Sequence, residues 1–397
     1  MKKAKNLYAY LILCLILLVS CGGNSDDSEE EVIDLNEPVT WTGTVTSDGT
    51  DLWLVLNGNG EPYYDFRIGT GGAMSEIRDL TESSENLLSP SYNGEQTDRI
   101  IQWTLWSING DIKNTEDLEL LNKQRYNVTQ GGTGINQLSE IISVTVNAEK
   151  NQVDVYSNPK LQWQEENQNA MTGTHAALTR YTIQTNGSIK IYRAVSVAEP
   201  KLNGVAQQWS DFYFEGWTPM LGGSSAFDGL ALSLNSSGAP DLWYQWLSGI
   251  PSYPFLEAST TEGYAIAYNT SKYSTKDAVG VVYGKGNVET SGTAKHVLNL
   301  LPWNTGIGIL PAIKSESVIP AHSLVEQTLY IVPRQGLTEA MKTELDDMVN
   351  EISAPKIYTP SEIPSGSELE TIYATLMANR LLSGTATDNL SALAPID

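Results

Sequence analysis

Basic residues, histidine and cysteine are scarce in this 397-residue chain: 24 Lys+Arg stand against 47 Asp+Glu, with 3 His and 2 Cys. A net charge of -23 excludes a nucleic-acid partner, which needs a basic face to neutralise phosphates. Two cysteines cannot frame a disulfide-stapled fold. Three isolated histidines, His175, His296 and His322, give no metal-ligand spacing, so no catalytic metal or organic cofactor is expected. A structural Ca²⁺ among the many Asp and Asn stays open. No serine nucleophile elbow, P-loop or zincin pattern occurs. No apolar run reaches the roughly 20 residues of a permanent membrane helix. Phenylalanine is also rare, 5 residues against 10 Trp and 19 Tyr. That skew favours wet, sugar-stacking surfaces, because Trp and Tyr pair an apolar ring with a polar atom.

What the first residues hold is an address. Lys2, Lys3 and Lys5 precede a 13-residue apolar run, Leu7 to Val19, which fits a secretory signal over 1–20. The run ends Leu18-Val19-Ser20-Cys21-Gly22 and resembles a bacterial lipobox, which implies cleavage before Cys21 and a lipid anchor on its sulfur. Loss of the signal also removes Cys14 and shifts the net charge from -23 to -26. Residues 21–38 form an acidic tether, with Asn24-Ser25-Asp26-Asp27-Ser28-Glu29-Glu30-Glu31 too charged to pack. The tether resembles the export signal of Bacteroidota surface lipoproteins. That resemblance implies an outer-membrane, cell-surface location and membrane contact through lipid only.

Residues 39–335 read as all-β. Short alternating runs rich in Val, Ile, Thr, Tyr and Trp are separated by Gly, Asn, Asp and Ser. Examples are Trp53–Leu56, Ile141–Val146, Gln152–Tyr156, Gly263–Tyr268, Val279–Tyr283 and Leu324–Val332. No fixed-period repeat appears, so one large antiparallel sandwich is expected rather than a propeller. Asn186-Gly187 predicts a two-residue hairpin turn between 174–185 and 188–197. That register sets Leu178 and Thr182 opposite Val195 and Ile191 on a core face, with Arg180 opposite Arg193. His175, Tyr181, Lys190 and Tyr192 fall on a second, polar face. Residues 336–397 change character. Leu337, Met341, Leu345, Met348 and Ile352 keep helical spacing. Ser367-Glu368-Leu369-Glu370 is a capping-box signature opening a stripe of Leu369, Ile372, Tyr373, Leu376 and Leu381, with Gly384 as the stop.

Gly69-Thr70-Gly71-Gly72-Ala73-Met74-Ser75-Glu76-Ile77-Arg78-Asp79-Leu80 is followed by Asn86-Leu87-Leu88 and by Asp98-Arg99-Ile100-Ile101-Gln102-Trp103. This order resembles the early strands of galactose-mutarotase-like β-sandwiches (supersandwiches), with Asp98 where that family usually has Gly. The resemblance implies a carbohydrate-active protein, because that superfamily holds sugar epimerases, polysaccharide lyases and domains attached to glycoside hydrolases.

Three sugar chemistries remain open. Glycoside hydrolysis needs two carboxylates about 5 to 9.5 Å apart. Mutarotation needs an acid and a base across the ring oxygen. Elimination at C4–C5 of a uronic acid needs a cation against the carboxylate, a base for the C5 proton and a donor for the leaving group. His175 and Tyr181 supply the base and acid, and Arg99 or Arg180 the cation. Elimination, by a lyase or oligosaccharide dehydratase, is the leading expectation. A non-catalytic glycan-binding lipoprotein is its alternative, and a mutarotase or epimerase the next. Gln102, Trp103, Tyr192, Trp209, Glu215 and Trp217 are the expected sugar-binding side chains, with Trp106, Trp163, Trp243 and Trp246 as further stacking candidates.

Overall fold

The computed structural model describes the strands and helices named below, between Thr42 and Leu382, with residues 175, 184, 188, 197–199, 263, 283–284, 318–323 and the stretch 337–382. The signal, Cys21 and the acidic tether lie outside the described residues, as do Arg99 and Trp209. Every described strand pairing is antiparallel, as expected for a sequence of alternating short runs joined by tight turns. The fold is an all-β sandwich with two short C-terminal helices.

Four strands, Thr42–Ser47, Leu52–Gly58, Glu61–Ile68 and Met74–Asp79, form a sheet in chain order. A ten-stranded sheet runs Trp243–Gln245, Gly229–Ala231, Tyr264–Tyr268, Ala278–Val282, Leu324–Arg334, Ile189–Ser196, Ala176–Ile183, Gln152–Asn158 and Glu140–Asn147, and Lys356–Tyr358 adds to the start of Leu324–Arg334. A seven-stranded sheet runs Leu256–Ala258, Lys295–Trp303, Gly306–Ser315, Phe212–Trp217, Gln102–Trp106 and Tyr126–Asn127, with Met220–Gly222 also paired to Gly306–Ser315. A small third group joins Val205–Ala206, Lys201–Leu202 and Met171–Thr172.

The large sheet is buried on both faces at its centre. Alternate positions of a strand change face, and antiparallel partners share one. Ile189, Ile191, Val195, Val325, Leu329 and Ile331 make one fully buried face. The other face carries the helices. Helix α1, Glu339–Glu351, lays Met341, Leu345, Met348 and Val349 on Tyr264, Ile266, Tyr268, Val282, Tyr330 and Val332. Helix α2, Glu368–Asn379, lays Ile372 and Leu376 on Ala176, Leu178, Ala194 and Leu324.

Both helices start where the sequence places a cap. Thr338 Oγ1 accepts from the Met341 N–H at 3.2 Å, and Ser367 Oγ from the Glu370 N–H at 3.1 Å. The Glu370 carboxylate turns back to the Gly366 N–H, one residue before the position a capping box uses. The expected α2 stripe overshoots: the helix ends at Asn379, and Leu381 is 88% exposed. Gly384, the expected stop, lies outside the described residues.

Gly284 and Gly366 both hold a left-handed backbone, at φ +82° and +73°. A β-carbon at Gly284 would stand 2.6 Å from Ile352 Cγ2, whereas one at Gly366 meets nothing within 4 Å. Gly366→Ala is expected to cost about 1 kcal/mol from the backbone alone. Gly284→Ala adds a clash with a branched, packed side chain and is expected to cost about 1–3 kcal/mol more. Urea unfolding of the two variants checks this order; equal costs would mean the Ile352 contact does not constrain the turn.

Candidate functional site

The hairpin that carries four candidate residues is displaced by one position from the sequence expectation. Thr179 pairs with Arg193, Arg180 with Tyr192, Tyr181 with Ile191 and Thr182 with Lys190. The Gln184 N–H donates to the Ser188 carbonyl, so three residues intervene at the turn rather than the two that Asn186-Gly187 suggests. The shift removes the Arg180–Arg193 opposition. It also moves Tyr192 and Lys190 to the face of Arg180 and Leu178, and sets Arg193 on the face of Tyr181. Neither face is the polar surface expected for His175 and Tyr181, which are 0% and 1% exposed.

Each hairpin side chain has a defined setting. The His175 Nδ1 accepts from the Ala198 N–H at 2.9 Å. Burial, with Arg380 nearby, holds its pKa well below the usual histidine value, so the ring is neutral. Arg180 sits on the helix-covered face. Its Nε and Nη2 donate to the Asp154 carboxylate at 2.8 and 2.9 Å, and Nη1 to Glu368 of α2 at 2.8 Å. The hydrogen bond to Asp154 is the main cause of a raised Arg180 pKa. The Arg180 guanidinium also lies over the Tyr192 ring, 5.8 Å from its centre. Burial and then Glu326 push the Tyr192 hydroxyl above the usual tyrosine range. Arg193, on the opposite face beside Thr179 and Gln327, is fully buried, and burial lowers its pKa to about 9.

Of the other candidates, Gln102, Trp103, Trp106, Glu215 and Trp217 lie on the seven-stranded sheet and Trp243 on an edge strand of the ten-stranded one, while Trp163 and Trp246 lie outside the described residues. Trp217 pairs with Gln102, Glu215 with Thr104, and Tyr213 with Trp106. These six positions share one face across two neighbouring strands. The same face continues through Ala312 and Lys314, then Val297 and Lys295. The other face carries Leu105, Phe214, Ile313, Pro311, Leu298 and Leu300. The first face also holds Val297, Leu301, Leu310 and Ala312, and the second also holds His296, so the contrast between an apolar and a polar, aromatic face is sharpest along the strands 102–106 and 212–217. Trp103 pairs with Gly216 and falls on the apolar face, apart from Gln102, Glu215 and Trp217. Trp106, Tyr213, Lys295 and Lys314 complete the polar face. No local motif marks them, because only the strand order brings residues near 102, 215 and 314 together. Among the described residues, no group of three His, Cys, Asp or Glu is placed to hold a metal ion.

No protein-family model matches the chain, and no curated protein sequence matches it. Among solved structures it is similar to a GalM/aldose epimerase homologue from C. elegans (10% identity, TM-score 0.37) and to galactose 1-epimerase from Lactobacillus acidophilus (11% identity, TM-score 0.35), each alignment covering 75% of this chain and 99% of the other. It is also similar to a heparan sulfate lyase from Pedobacter heparinus, at 6% identity and TM-score 0.33, over 75% of this chain and 37% of that one. No residue of this chain takes a role from these likenesses.

The His175 setting gives a measurable pH dependence. The folded ring resists protonation, while the unfolded ring takes a proton near the ordinary value of about 6.5. The neutral ring's contribution is therefore complete above that value and is lost as the pH falls below it. One proton taken up only by the unfolded chain gives a slope of about 1.4 kcal/mol per pH unit. His175→Gln, whose amide oxygen still accepts from Ala198, is expected to flatten the loss of unfolding free energy between about pH 6.5 and 5. An unchanged slope would place the acid sensitivity elsewhere.

Proposed function

We propose that this protein is an exported carbohydrate-binding lipoprotein that takes sugar rings on the polar, aromatic face of the seven-stranded sheet. The observation that carries the reading is the strand register. It sets Trp217 opposite Gln102 and Glu215 opposite Thr104, beside the Tyr213–Trp106 pair. Indole and phenol rings offer flat apolar area to the C–H face of a pyranose, and Gln and Glu match its hydroxyls. The excess of Trp and Tyr over Phe and the resemblance over residues 69–106 support the same class of ligand.

Binding stands ahead of elimination because of where the expected acid and base lie. A base that removes a C5 proton must come within hydrogen-bond reach of it. His175 and Tyr181 are buried in the ten-stranded sheet, and His175 already accepts from a backbone N–H. Of the expected sugar-binding residues, Gln102, Trp103, Glu215 and Trp217 belong to the other sheet, while Tyr192 lies in the ten-stranded one. Elimination at a uronic acid remains the finer alternative, and one experiment separates the two.

Titration calorimetry of the full chain carrying Cys21→Ser against neutral and acidic oligosaccharides is expected to show binding. Trp217→Ala and Glu215→Gln are each expected to weaken it about tenfold, a loss of about 1.4 kcal/mol. Ultraviolet absorbance from a new C4–C5 double bond is expected to stay flat; a rise that His175→Ala abolishes would establish elimination instead. Absence of binding across the panel would overturn the carbohydrate reading. The anchor has its own test. Labelled palmitate should enter the wild-type chain in cells and not Cys21→Ala, which should leave the membrane fraction. Label retained by the variant would remove Cys21 as the lipid site.

A further inference from the structure

Helix α2 is held by a narrow apolar seam and by a polar joint at its C-terminal end. Only Ile372 and Leu376 of its 12 residues are buried, and a helix of that length is marginal without packing. At the joint, Arg380 Nη2 donates to the carbonyl and Oγ of Ser196 at 2.9 and 2.7 Å. The Tyr373 hydroxyl donates to the His322 carbonyl at 3.1 Å, and Ser196 Oγ lies 3.4 Å from the same oxygen. Arg380, Ser196 and His322 therefore form one chain of contacts. The turn that carries His322 closes on the hairpin, with the His322 N–H donating to the Val197 carbonyl and the Val197 N–H to the Ser323 carbonyl. It holds His322 at φ +66°, and the ring's Nδ1 is shut off from solvent without a hydrogen-bond partner. Few charges face this ring. Arg380 acts on both His322 and His175, and the carboxylate that acts on His322, Glu199, is exposed.

We infer that α2 is a cover released by acid, because a proton on His322 sets a second cation beside Arg380 at the joint that holds the helix. Arg380 cannot turn to water without giving up Ser196. Two cations in a partly buried site repel more strongly than they would in water. Glu199, being exposed, answers them weakly. Burial first, and then Arg380, hold the His322 pKa below the ordinary histidine value while α2 is docked. When α2 leaves, Arg380 leaves with it, and the freed ring takes a proton near the ordinary value of about 6.5. Docking is therefore strongest above that pH and weakens as the pH falls through it, by up to about tenfold per pH unit for one proton. Release uncovers Ala176, Leu178, Ala194 and Leu324, and takes Glu368 away from Arg180. Helix α1 has no such joint. Its core cluster contains no histidine, and its tie is Arg334 to Glu344.

Amide hydrogen exchange read by mass spectrometry tests this on the full chain carrying Cys21→Ser, with rates corrected for the pH dependence of the chemical step. Between about pH 7.5 and 5.5, opening of residues 368–379 is expected to rise about three- to tenfold, while α1 and the strand Ile189–Ser196 keep their protection. His322→Asn accepts a left-handed backbone and does not titrate in this range, so it should abolish the rise and keep the protection seen at about pH 7.5. Tyr373→Phe should raise opening about fivefold at every pH; no effect would take the His322 turn out of the joint and overturn the inference. His175→Gln, which acts on global unfolding, should leave the rise intact. A flat profile, a rise that survives His322→Asn or follows His175 instead, or parallel exchange of α1, α2 and that strand each overturns the inference. If His322→Asn fails to fold, the wild-type ring decides. NMR of the chain labelled at its histidines, with the rings assigned through His175→Gln and His296→Gln, should show His322 titrating below about 6.5; a midpoint at or above that value overturns the inference.

Discussion

The structure depends on burying both faces of one sheet. The strand Ile189–Ser196 has neighbours on both sides, the helices over one face, and fully buried aliphatic residues on the other. Apart from the half-buried Lys190 and Tyr192, every residue of that strand is buried, so its polar side chains must be answered inside. The pair Arg180–Tyr192 shows how. Arg180 is flanked by Asp154 on the next strand and Glu368 on α2, and Tyr192 lies under its guanidinium. A partly buried ion pair of this kind adds little net stability, because desolvation offsets most of the attraction. Its contribution is positional. It fixes the first turn of α2 over the hairpin, where the Glu368 charge also suits the helix dipole.

The other end of α2 is held by different chemistry. Asn158 donates to the Asn379 carbonyl, the last of the helix, at 2.5 Å and to the Leu382 carbonyl in the turn beyond it at 2.8 Å, tying the helix C-terminus to the strand Gln152–Asn158. Arg380 donates from Nη2 to Ser196 O and Oγ, and burial brings its pKa down to about 10. Tyr373 reaches the His322 carbonyl at 3.1 Å. His322 itself stands at φ +66°, an uncommon conformation for a residue with a β-carbon, in the turn whose N–H and C=O close on Val197. His175, Ser196, His322 and Arg380 thus join the end of the hairpin, the turn before the longest strand and the end of the helix. Helix α1 has a parallel tie, Arg334 to Glu344.

Periodicity within a segment was legible in the sequence, and pairing between segments was not. The runs at Gln152–Tyr156, Gly263–Tyr268, Val279–Tyr283 and Leu324–Val332 are all strands, and the spacing of Met341, Leu345 and Met348 is the buried stripe of α1. Period and parity are local properties, and they survive folding because one face of each element must be apolar. Register is not local. The Asn-Gly signal marks the turn but not its length, and one extra turn residue exchanged the partners of every hairpin side chain. The candidate site fails to show for the same reason. Gln102, Glu215 and Trp217 could be chosen by residue type, but their adjacency and the separation of Trp103 from them exist only once the strand order is known.

That distinction also decides which sheet is available for function. A sheet closed on both faces at its centre has spent its side chains on packing and on answering its own charges; Arg180 is an example, engaged by two carboxylates before any ligand arrives. The seven-stranded sheet is built differently. Along the strands 102–106 and 212–217 the apolar positions Leu105, Phe212 and Phe214 fall on one face and Gln102, Trp106, Tyr213, Glu215 and Trp217 on the opposite one, which the neighbouring strands continue with Ala312, Leu310 and Val297. The register, not any local motif, gathers Gln102, Trp106, Tyr213, Glu215 and Trp217 on one face, which is why the proposed binding reading rests on that sheet.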